Sequence, residues 1–144
     1  MDTFHESVGL SNQGNPKGVH LRTGTVGLGV DIEEVGRFKK LIRNKRFLDK
    51  VYTRQEVVYC NSKKNRVQHF AVRFAAKEAV WKALSEAIRR STSAIRHRDI
   101  GVKNAESGKP EVTLPKSLAR WAKKVTISLS HTRSYAVAVA LVRN

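Results

Sequence analysis

The sequence predicts an α+β fold in which one long helix and several shorter helices pack on a mostly antiparallel sheet. Three segments carry this prediction. Residues 25–31 alternate apolar side chains with glycine, residues 67–87 repeat apolar side chains at helical spacing, and residues 125–130 alternate before an apolar run over residues 135–142. Alternation is typical of a strand with one buried face, whereas recurrence at every third and fourth position is typical of an amphipathic helix.

The first predicted strand has one apolar face and one bare face. Val26, Leu28 and Val30 point to one side, whereas Gly27, Gly29 and Asp31 point to the other. Glycine in a strand allows another backbone or a ligand to approach closely. We therefore expect Asp31 to end a strand beside open space.

A helix predicted over residues 33–46 follows, with apolar residues on one side and basic residues on the other. The apolar set is Val35, Phe38, Leu41 and Ile42, and the basic set is Arg37, Lys39, Lys40 and Arg43. Solvent-facing helix surfaces usually mix the two signs of charge, and this segment has no acid after Glu34. The basic side is therefore either an ordinary solvated face or a docking surface.

The middle of the chain contains a short helix and then the longest one. Residues 53–56 (Thr-Arg-Gln-Glu) form a capping box, which predicts a helix start, and residues 62–66 form a basic loop before the helix over residues 67–87. Phe70, Phe74, Glu78 and Lys82 recur at intervals of four and form one ridge along that helix.

The C-terminal part is predicted to add strands and one short helix. A basic loop over residues 89–98 leads to strands over residues 99–103 and 111–114, which are joined by a turn at residues 107–110 (Ser-Gly-Lys-Pro). A short helix over residues 115–122 precedes the two strands named above. The last strand is apolar throughout, which is typical of a central position in a sheet.

The net charge is +16, from 28 basic and 12 acidic residues. Such a field attracts nucleic acid, an acidic protein or a phosphate-rich metabolite. Residues 1–24 are neutral overall and carry no apolar period. We expect them to lie outside the fold, as a disordered extension or a segment added by cloning, and residues 25–144 to form a single domain.

Cysteine content and hydropathy bear on localisation. Cys60 is the single cysteine of the chain, so no internal disulfide can form and a reducing, cytoplasmic setting is expected. The longest apolar run, over residues 135–142, is too short to cross a bilayer. We accordingly expect no membrane segment and no membrane partner.

Two acidic residues are candidates for a metal site, and each has an alternative interpretation. Glu78 continues the aromatic ridge, where a carboxylate needs a partner; it can pair with Lys82 one turn later. Asp31 can ligate a hard cation or cap the following helix. Mg²⁺ characteristically takes one or two protein carboxylates and leaves its other positions to water and substrate phosphates.

Three segments in order resemble the holo-acyl-carrier-protein synthase family of 4'-phosphopantetheinyl transferases. They are residues 27–33 (Gly-Leu-Gly-Val-Asp-Ile-Glu), 73–84 (Arg-Phe-Ala-Ala-Lys-Glu-Ala-Val-Trp-Lys-Ala-Leu) and 127–132 (Ile-Ser-Leu-Ser-His-Thr). Residues 108–110 (Gly-Lys-Pro) also fall where that family has them. The likeness covers nearly all of residues 25–144.

The resemblance implies a reaction and a set of functional residues. Such enzymes transfer phosphopantetheine from coenzyme A to a serine of acyl carrier protein, in support of fatty acid biosynthesis. By this likeness Asp31 and Glu78 hold Mg²⁺, and Lys82 acts with them in catalysis. Coenzyme A contacts are implied for Arg73, Lys82, Lys109, His131 and Thr132. Carrier-protein docking is implied for Arg37, Lys40 and Arg43.

The resemblance further implies a homotrimer with active sites between subunits. Whether Glu78 or a metal-bound water deprotonates the serine stays open. Residues 85–87 (Ser-Glu-Ala) stand where the family usually has a Gly-Thr-Gly-like turn, so an inactive carrier-binding homologue is one alternative. A nucleic-acid-binding protein is the other, although the aromatic residues are predicted to lie on core faces rather than interleaved with exposed basic ones. We therefore expect no nucleic-acid partner.

Overall fold

The computed structural model describes residues 27–88 and 94–143. The extension expected at residues 1–24 lies outside this range, and so do residues 89–93 of the basic loop expected at residues 89–98. The helices are α1 (Val35–Leu41), α2 (Lys45–Val51), α3 (Arg54–Asn61), α4 (Arg66–Ile88) and α5 (Ala119–Ala122), with 3₁₀ turns at His97–Asp99 and Lys116–Leu118. The strands are β1 (Gly27–Glu34), β2 (Gly101–Asn104), β3 (Pro110–Thr113), β4 (Val125–His131) and β5 (Tyr135–Val142).

The described strands form two antiparallel sheets. One has three strands in the order β1-β5-β4, and the other pairs β2 with β3. The apolar strand β5 lies at the centre, as its sequence predicts, and Asp31 of β1 is opposite Ala138 of β5. Helix α4 packs across β1 and β5. The predicted α+β fold, with helices on a mostly antiparallel sheet, is confirmed.

The glycines of β1 determine how closely α4 approaches the sheet. A Cβ placed on Gly27 would lie 2.0 Å from the carbonyl oxygen of Ala83, and one on Gly29 would lie 1.9 Å from that of Ala79. Both distances are far below van der Waals contact, so only glycine permits this packing. The bare face of β1 thus receives another backbone, one of the two alternatives that the sequence left open.

Two predictions near the N-terminal end of the fold are wrong in detail. Strand β1 runs to Glu34, so Asp31 lies within it and does not cap a helix. The helix predicted over residues 33–46 is interrupted after Leu41. Asn44 caps α2 there by accepting a hydrogen bond from the backbone N–H of Phe47 at 3.3 Å, and such side chains favour a new helix start over continuation.

The capping box predicted at residues 53–56 is present, and its glutamate has a second role. Thr53 and Glu56 bond reciprocally at the start of α3. The other Glu56 oxygen accepts the backbone N–H of Val102 in β2 at 2.8 Å, and Lys77 of α4 lies 2.7 Å from the carboxylate. Both charged side chains are almost completely buried, so this pair joins α3, α4 and β2 inside the core.

No helix among the described residues is long and apolar enough to cross a membrane. The outer face of the three-stranded sheet is nevertheless apolar and open. Leu28, Val30 and Ile32 are each more than half exposed, and Tyr135 and Val139 continue the surface on β5. We call this surface the outer sheet face.

Candidate active site

Two carboxyl groups of β1 lie where this strand passes α4, and the charge of a third, on α4, acts on one of them. Among the described residues no set of three His, Cys, Asp or Glu side chains is spaced to hold a metal ion, so a cation here would have at most two protein carboxylates as ligands. Asp31 and Glu33 lie two positions apart on β1 and share the face that meets the helix, and Glu78 comes from α4. The Asp31 side chain is 13% exposed, and its Oδ2 is buried with no hydrogen-bond partner. An unsatisfied buried carboxylate oxygen is costly, which makes this position suitable for a cation.

Glu33 is a member of this cluster that the sequence prediction did not assign to the site. Burial raises the pKa of Glu33 to about 7, and the neighbouring carboxylates of Asp31 and Glu78 act in the same direction, against Arg37. Arg37 lies 3.1 Å from the Glu33 carboxylate. The sequence signal that could have identified Glu33 is its position two residues after Asp31, which places both side chains on the same face of a strand.

Asp31 and Glu78, the two predicted metal ligands, have other partners than those that their local sequence suggests. Glu78 does not pair with Lys82 but contacts the Nε2 atom of His97. Lys82 instead reaches β1, where its Nζ lies 3.0 Å from Asp31 Oδ1 and 2.9 Å from the Val30 carbonyl oxygen. The structure therefore brings Lys82 to Asp31, whereas Glu78 is linked to β1 through the effect of its charge on Glu33.

A cavity of about 350 Å³ lies on another side of α4. Its lining includes Arg73, His131 and Gly108. Arg73 is only 4% exposed, and its guanidinium lies 4.1 Å from the centre of the Tyr59 ring. The Arg73 Nε is buried with no hydrogen-bond partner, so this guanidinium keeps its positive charge in the wall of the cavity with one donor unsatisfied.

His69 also lines this cavity and was not singled out in the sequence. Burial lowers its pKa, and the positive charges of Arg73, Lys63 and His131 lower it further. These charges identify the cavity as electropositive and suited to an anion such as a phosphate. His69 precedes Arg73 by four positions on a helix, and that spacing could have revealed it.

Two predicted coenzyme A contacts lie at turns. Gly108 adopts a positive φ of 82°, which confirms the turn at residues 107–110, and the adjacent Lys109 is exposed beside a second cavity of about 380 Å³. The Thr132 hydroxyl accepts hydrogen bonds from the backbone N–H groups of Ser134 and Tyr135 at 3.2 and 3.0 Å. Its own proton can still be donated to a ligand.

The two halves of the predicted site lie on different sides of α4. Arg73 and Glu78 are five positions apart, which separates their directions by about 140° at 3.6 residues per turn. The acidic cluster with Lys82 is therefore on one side, and the cavity with Arg73 and His131 is on another. A single chain does not bring all the predicted site residues together.

The predicted docking residues lie on the exposed side of α1 and just after it. Lys40 and Arg43 are exposed, whereas Arg37 is half exposed, bound to Glu33, and lies over the rings of Phe38 and Phe74. A basic groove of about 460 Å³ adjoins this surface. Its lining includes Val35, Lys39, Lys64, Arg66, Val67 and Arg133.

Comparison with known sequences gives consistent matches. The family model described as the 4'-phosphopantetheinyl transferase superfamily matches residues 27–140. The holo-[acyl-carrier-protein] synthase of Geobacter sp. is 38% identical over 123 residues, covering 81% of this chain and 96% of its own. The protein of the same name from Chlamydia caviae is 42% identical over 121 residues, with the same shares of 81% and 96%.

Solved structures agree with the sequence matches. The holo-[acyl-carrier-protein] synthase of Neisseria meningitidis superposes with a TM-score of 0.69 at 29% identity, covering 82% of this chain and 98% of that one. The Bacillus anthracis enzyme, solved in complex with CoA (3',5'-ADP), gives a TM-score of 0.67 at 29% identity, covering 82% and 96%. The Helicobacter pylori enzyme, solved with coenzyme A, gives 0.67 at 28% identity, covering 80% and 98%.

Proposed function

This chain belongs to the 4'-phosphopantetheinyl transferase superfamily, and on that premise we propose that it is a holo-acyl-carrier-protein synthase. It transfers 4'-phosphopantetheine from coenzyme A to a serine of apo acyl carrier protein. The serine oxygen forms a bond to the phosphorus that carries pantetheine, the P–O bond to the bridging pyrophosphate oxygen breaks, and adenosine 3',5'-bisphosphate leaves with that oxygen. The serine proton passes to a general base, for which Glu78 is one candidate. The observation that carries the proposal is the buried Asp31 oxygen without a hydrogen-bond partner, on a carboxylate that Lys82 contacts.

Asp31 and Glu78 are the residues that would hold Mg²⁺, and Glu33 is near enough to contribute electrostatically. Carboxylate oxygens are the ligands that Mg²⁺ prefers, and it leaves positions for substrate phosphates. When bound, the ion would supply charge neutralisation at the pyrophosphate. Lys82 supplies a further positive charge for the leaving phosphate, because its ammonium already lies at the edge of this cluster.

Coenzyme A binding is proposed for the electropositive cavity and the turns beside it. Arg73 and His131 line the cavity, and a guanidinium in its wall can form charge-assisted hydrogen bonds to a phosphate. Lys109 and Thr132 lie at the neighbouring turns and can add donors. The solved relatives that contain coenzyme A support this assignment of ligand class.

A homotrimer would place the two halves of the site opposite each other across subunits. The outer sheet face offers the apolar surface that such an interface needs, since exposed contiguous apolar patches mark interaction sites. Ile32→Lys, at a position 63% exposed, should therefore yield monomers by light scattering and lose transfer. If the Ile32→Lys variant still forms trimers at the concentrations used in the assay, the subunit interface lies on another surface.

Carrier-protein docking is proposed for the basic surface of α1 and the residue that follows its end. An acidic carrier would be attracted by Arg37, Lys40 and Arg43, and such attraction raises the association rate in a salt-dependent way. Lys40→Glu with Arg43→Glu is the cleaner test, because Arg37 also holds Glu33. This double variant should weaken carrier binding and leave coenzyme A binding unchanged; equal losses of both affinities would exclude a dedicated docking surface.

A transfer assay tests the whole proposal. Apo carrier protein, coenzyme A and Mg²⁺ should yield carrier heavier by one phosphopantetheine group, whereas an unchanged carrier mass would favour the inactive homologue. Asp31→Ala and Glu78→Ala should abolish transfer while thermal unfolding stays cooperative. Asp49→Ala is the matched control at saturating carrier, because Asp49 is 62% exposed and forms only a surface pair with Lys45.

The setting proposed is the cytoplasm, with a role in fatty acid biosynthesis. The buried thiol of Cys60 fits a reducing compartment. The metabolic role can be tested by measuring how much isotope-labelled acetate enters lipid in cells depleted of this protein. Unchanged incorporation would exclude the role.

A further inference from the structure

His97 makes a contact with the acidic cluster that its sequence position does not suggest. Its Nε2 atom meets the Oε1 atom of Glu78, nineteen positions earlier in the chain. The imidazole ring stacks on Phe74, with the ring centres 5.7 Å apart and the planes 9° from parallel. The histidine therefore reaches Glu78 in one defined ring orientation.

The turn that carries His97 is held at both ends. Arg96 and Asp99 close it through two side-chain hydrogen bonds of 2.9 and 3.1 Å and one from the Arg96 backbone N–H of 3.0 Å. The buried ammonium of Lys77 donates to the carbonyl oxygens of His97 at 3.1 Å and Ile100 at 2.6 Å. Because Lys77 immediately precedes Glu78 on α4, the turn is attached to the helix next to the carboxylate that His97 contacts.

We infer that His97 is a positioning residue, which donates Nε2–H to Glu78 and orients that carboxylate so that its second oxygen faces a divalent cation. This inference rests on the proposed function, because it assigns a cation to Glu78. A free glutamate on a helix samples several rotamers. Donors that hold a metal-ligating group in one orientation commonly change metal affinity by about 10- to 100-fold when removed.

The chemistry requires only that the nitrogen facing Glu78 carries a proton. A carboxylate accepts hydrogen bonds, so both the imidazolium and the neutral tautomer protonated at Nε2 are suitable donors. The role therefore needs no proton transfer during the reaction. It differs from that of Lys82, which faces Asp31 on β1 and is not a donor to Glu78 in this structure.

Two substitutions separate the donor from the ring. His97→Phe keeps an aromatic ring to stack on Phe74 but removes the hydrogen bond, whereas His97→Gln restores a donor near the position of Nε2. Arg98→Gln is the matched control, because it changes an exposed residue of the same turn. Mn²⁺ serves as the probe, and its binding is measured by electron paramagnetic resonance in the presence of coenzyme A.

We expect His97→Phe to weaken Mn²⁺ binding by about 10- to 100-fold, with His97→Gln and Arg98→Gln close to the wild-type protein. Coenzyme A affinity without metal should stay unchanged. A folded His97→Phe variant with wild-type Mn²⁺ affinity would overturn the role of His97 and leave the proposed function standing. A wild-type protein that binds no Mn²⁺ would overturn both this role and the metal site.

A measurement on the wild-type protein covers the case in which His97→Phe does not fold. The ¹⁵N resonances of the His97 imidazole report which nitrogen carries a proton. A protonated Nε2 supports the donor assignment, whereas an unprotonated Nε2 overturns it.

Discussion

Lys77→Met is the substitution for which the structure gives the most definite consequence. Lys77 is fully buried, and its ammonium is bound to Glu56 at 2.7 Å and to the carbonyl oxygens of His97 and Ile100. Burial lowers the pKa of Lys77, against the attraction of Glu56, which raises it. Desolvation thus opposes the charge, and the pair as a whole contributes less to stability than its short distance suggests.

Removing one charge of the Lys77–Glu56 pair is expected to cost more stability than removing both charges. Lys77→Met leaves the Glu56 carboxylate buried without a counter-charge, which costs about 3–5 kcal/mol. For a domain of this size that loss lowers the Tm by about 10–20 °C. It is also a large share of a total stability of about 5–15 kcal/mol.

The double variant Glu56→Gln with Lys77→Met removes both charges. We expect it to lose only about 1–3 kcal/mol, because the remaining cost is that of imperfectly satisfied hydrogen bonds at Thr53, Val102 and Ile100. The two single variants should therefore sum to much more than the double variant. Urea denaturation of the wild-type protein, the two single variants and the double variant gives the coupling energy between Lys77 and Glu56. All four are measured at one protein concentration, because any assembly makes stability concentration-dependent.

Two results would refute this reasoning. One is a Lys77→Met variant within 1 kcal/mol of the wild-type protein, well below the roughly 3–5 kcal/mol expected of a broken buried pair. The other is strict additivity of the two single substitutions, which would mean that Lys77 and Glu56 act independently.

Three further results are expected. Gly29→Ala should destabilise the protein by about 3 kcal/mol or more, because the new Cβ would lie 1.9 Å from a backbone oxygen of α4. Gly36→Ala is the control in the same denaturation assay and should be neutral or stabilising, because the space around Gly36 is open. Burial raises the pKa of Cys60 to about 12, so the thiolate is scarce at pH 8 and alkylation should be slow until the protein unfolds, as followed by mass spectrometry. Rapid labelling of the native protein would contradict this burial. Tyr52→Phe should cost about 0.5–1.5 kcal/mol in thermal unfolding, because it removes the buried 2.8 Å hydrogen bond to the Phe70 carbonyl, which keeps its helical donor; an unchanged Tm would show that the bond contributes nothing.

Much of the fold could be predicted from local pattern. The helix expected over residues 67–87 is observed as Arg66–Ile88, and the last strand has the predicted bounds, because long periodic or wholly apolar segments leave few alternative packings. The break between α1 and α2 was missed because the apolar period continues through it while the Asn44 side chain starts a new helix. The end of β1 was missed because alternation does not specify where pairing with a neighbour stops.

The candidate site was predictable in its parts. Asp31 and Glu78 were identified as candidates from residue type and position, and Lys82 through the family resemblance; the structure brings Lys82 to Asp31. Their partners could not be predicted, because local spacing favours Glu78 with Lys82, whereas strand β1 brings Asp31 to Lys82 and a distant turn brings His97 to Glu78.

The sequence by itself determined the α+β class, the order of the main elements and the residue types capable of phosphate and cation chemistry. These follow from periodicity, glycine placement and charge, all of which are local properties of the chain. Only the tertiary structure decided that the bare face of β1 receives the α4 backbone, that Lys77 is a core residue, and that Arg73 and Glu78 point to different sides of one helix. Those outcomes depend on how separate elements pack, and burial and ion-pair formation between distant segments have no signature in local sequence.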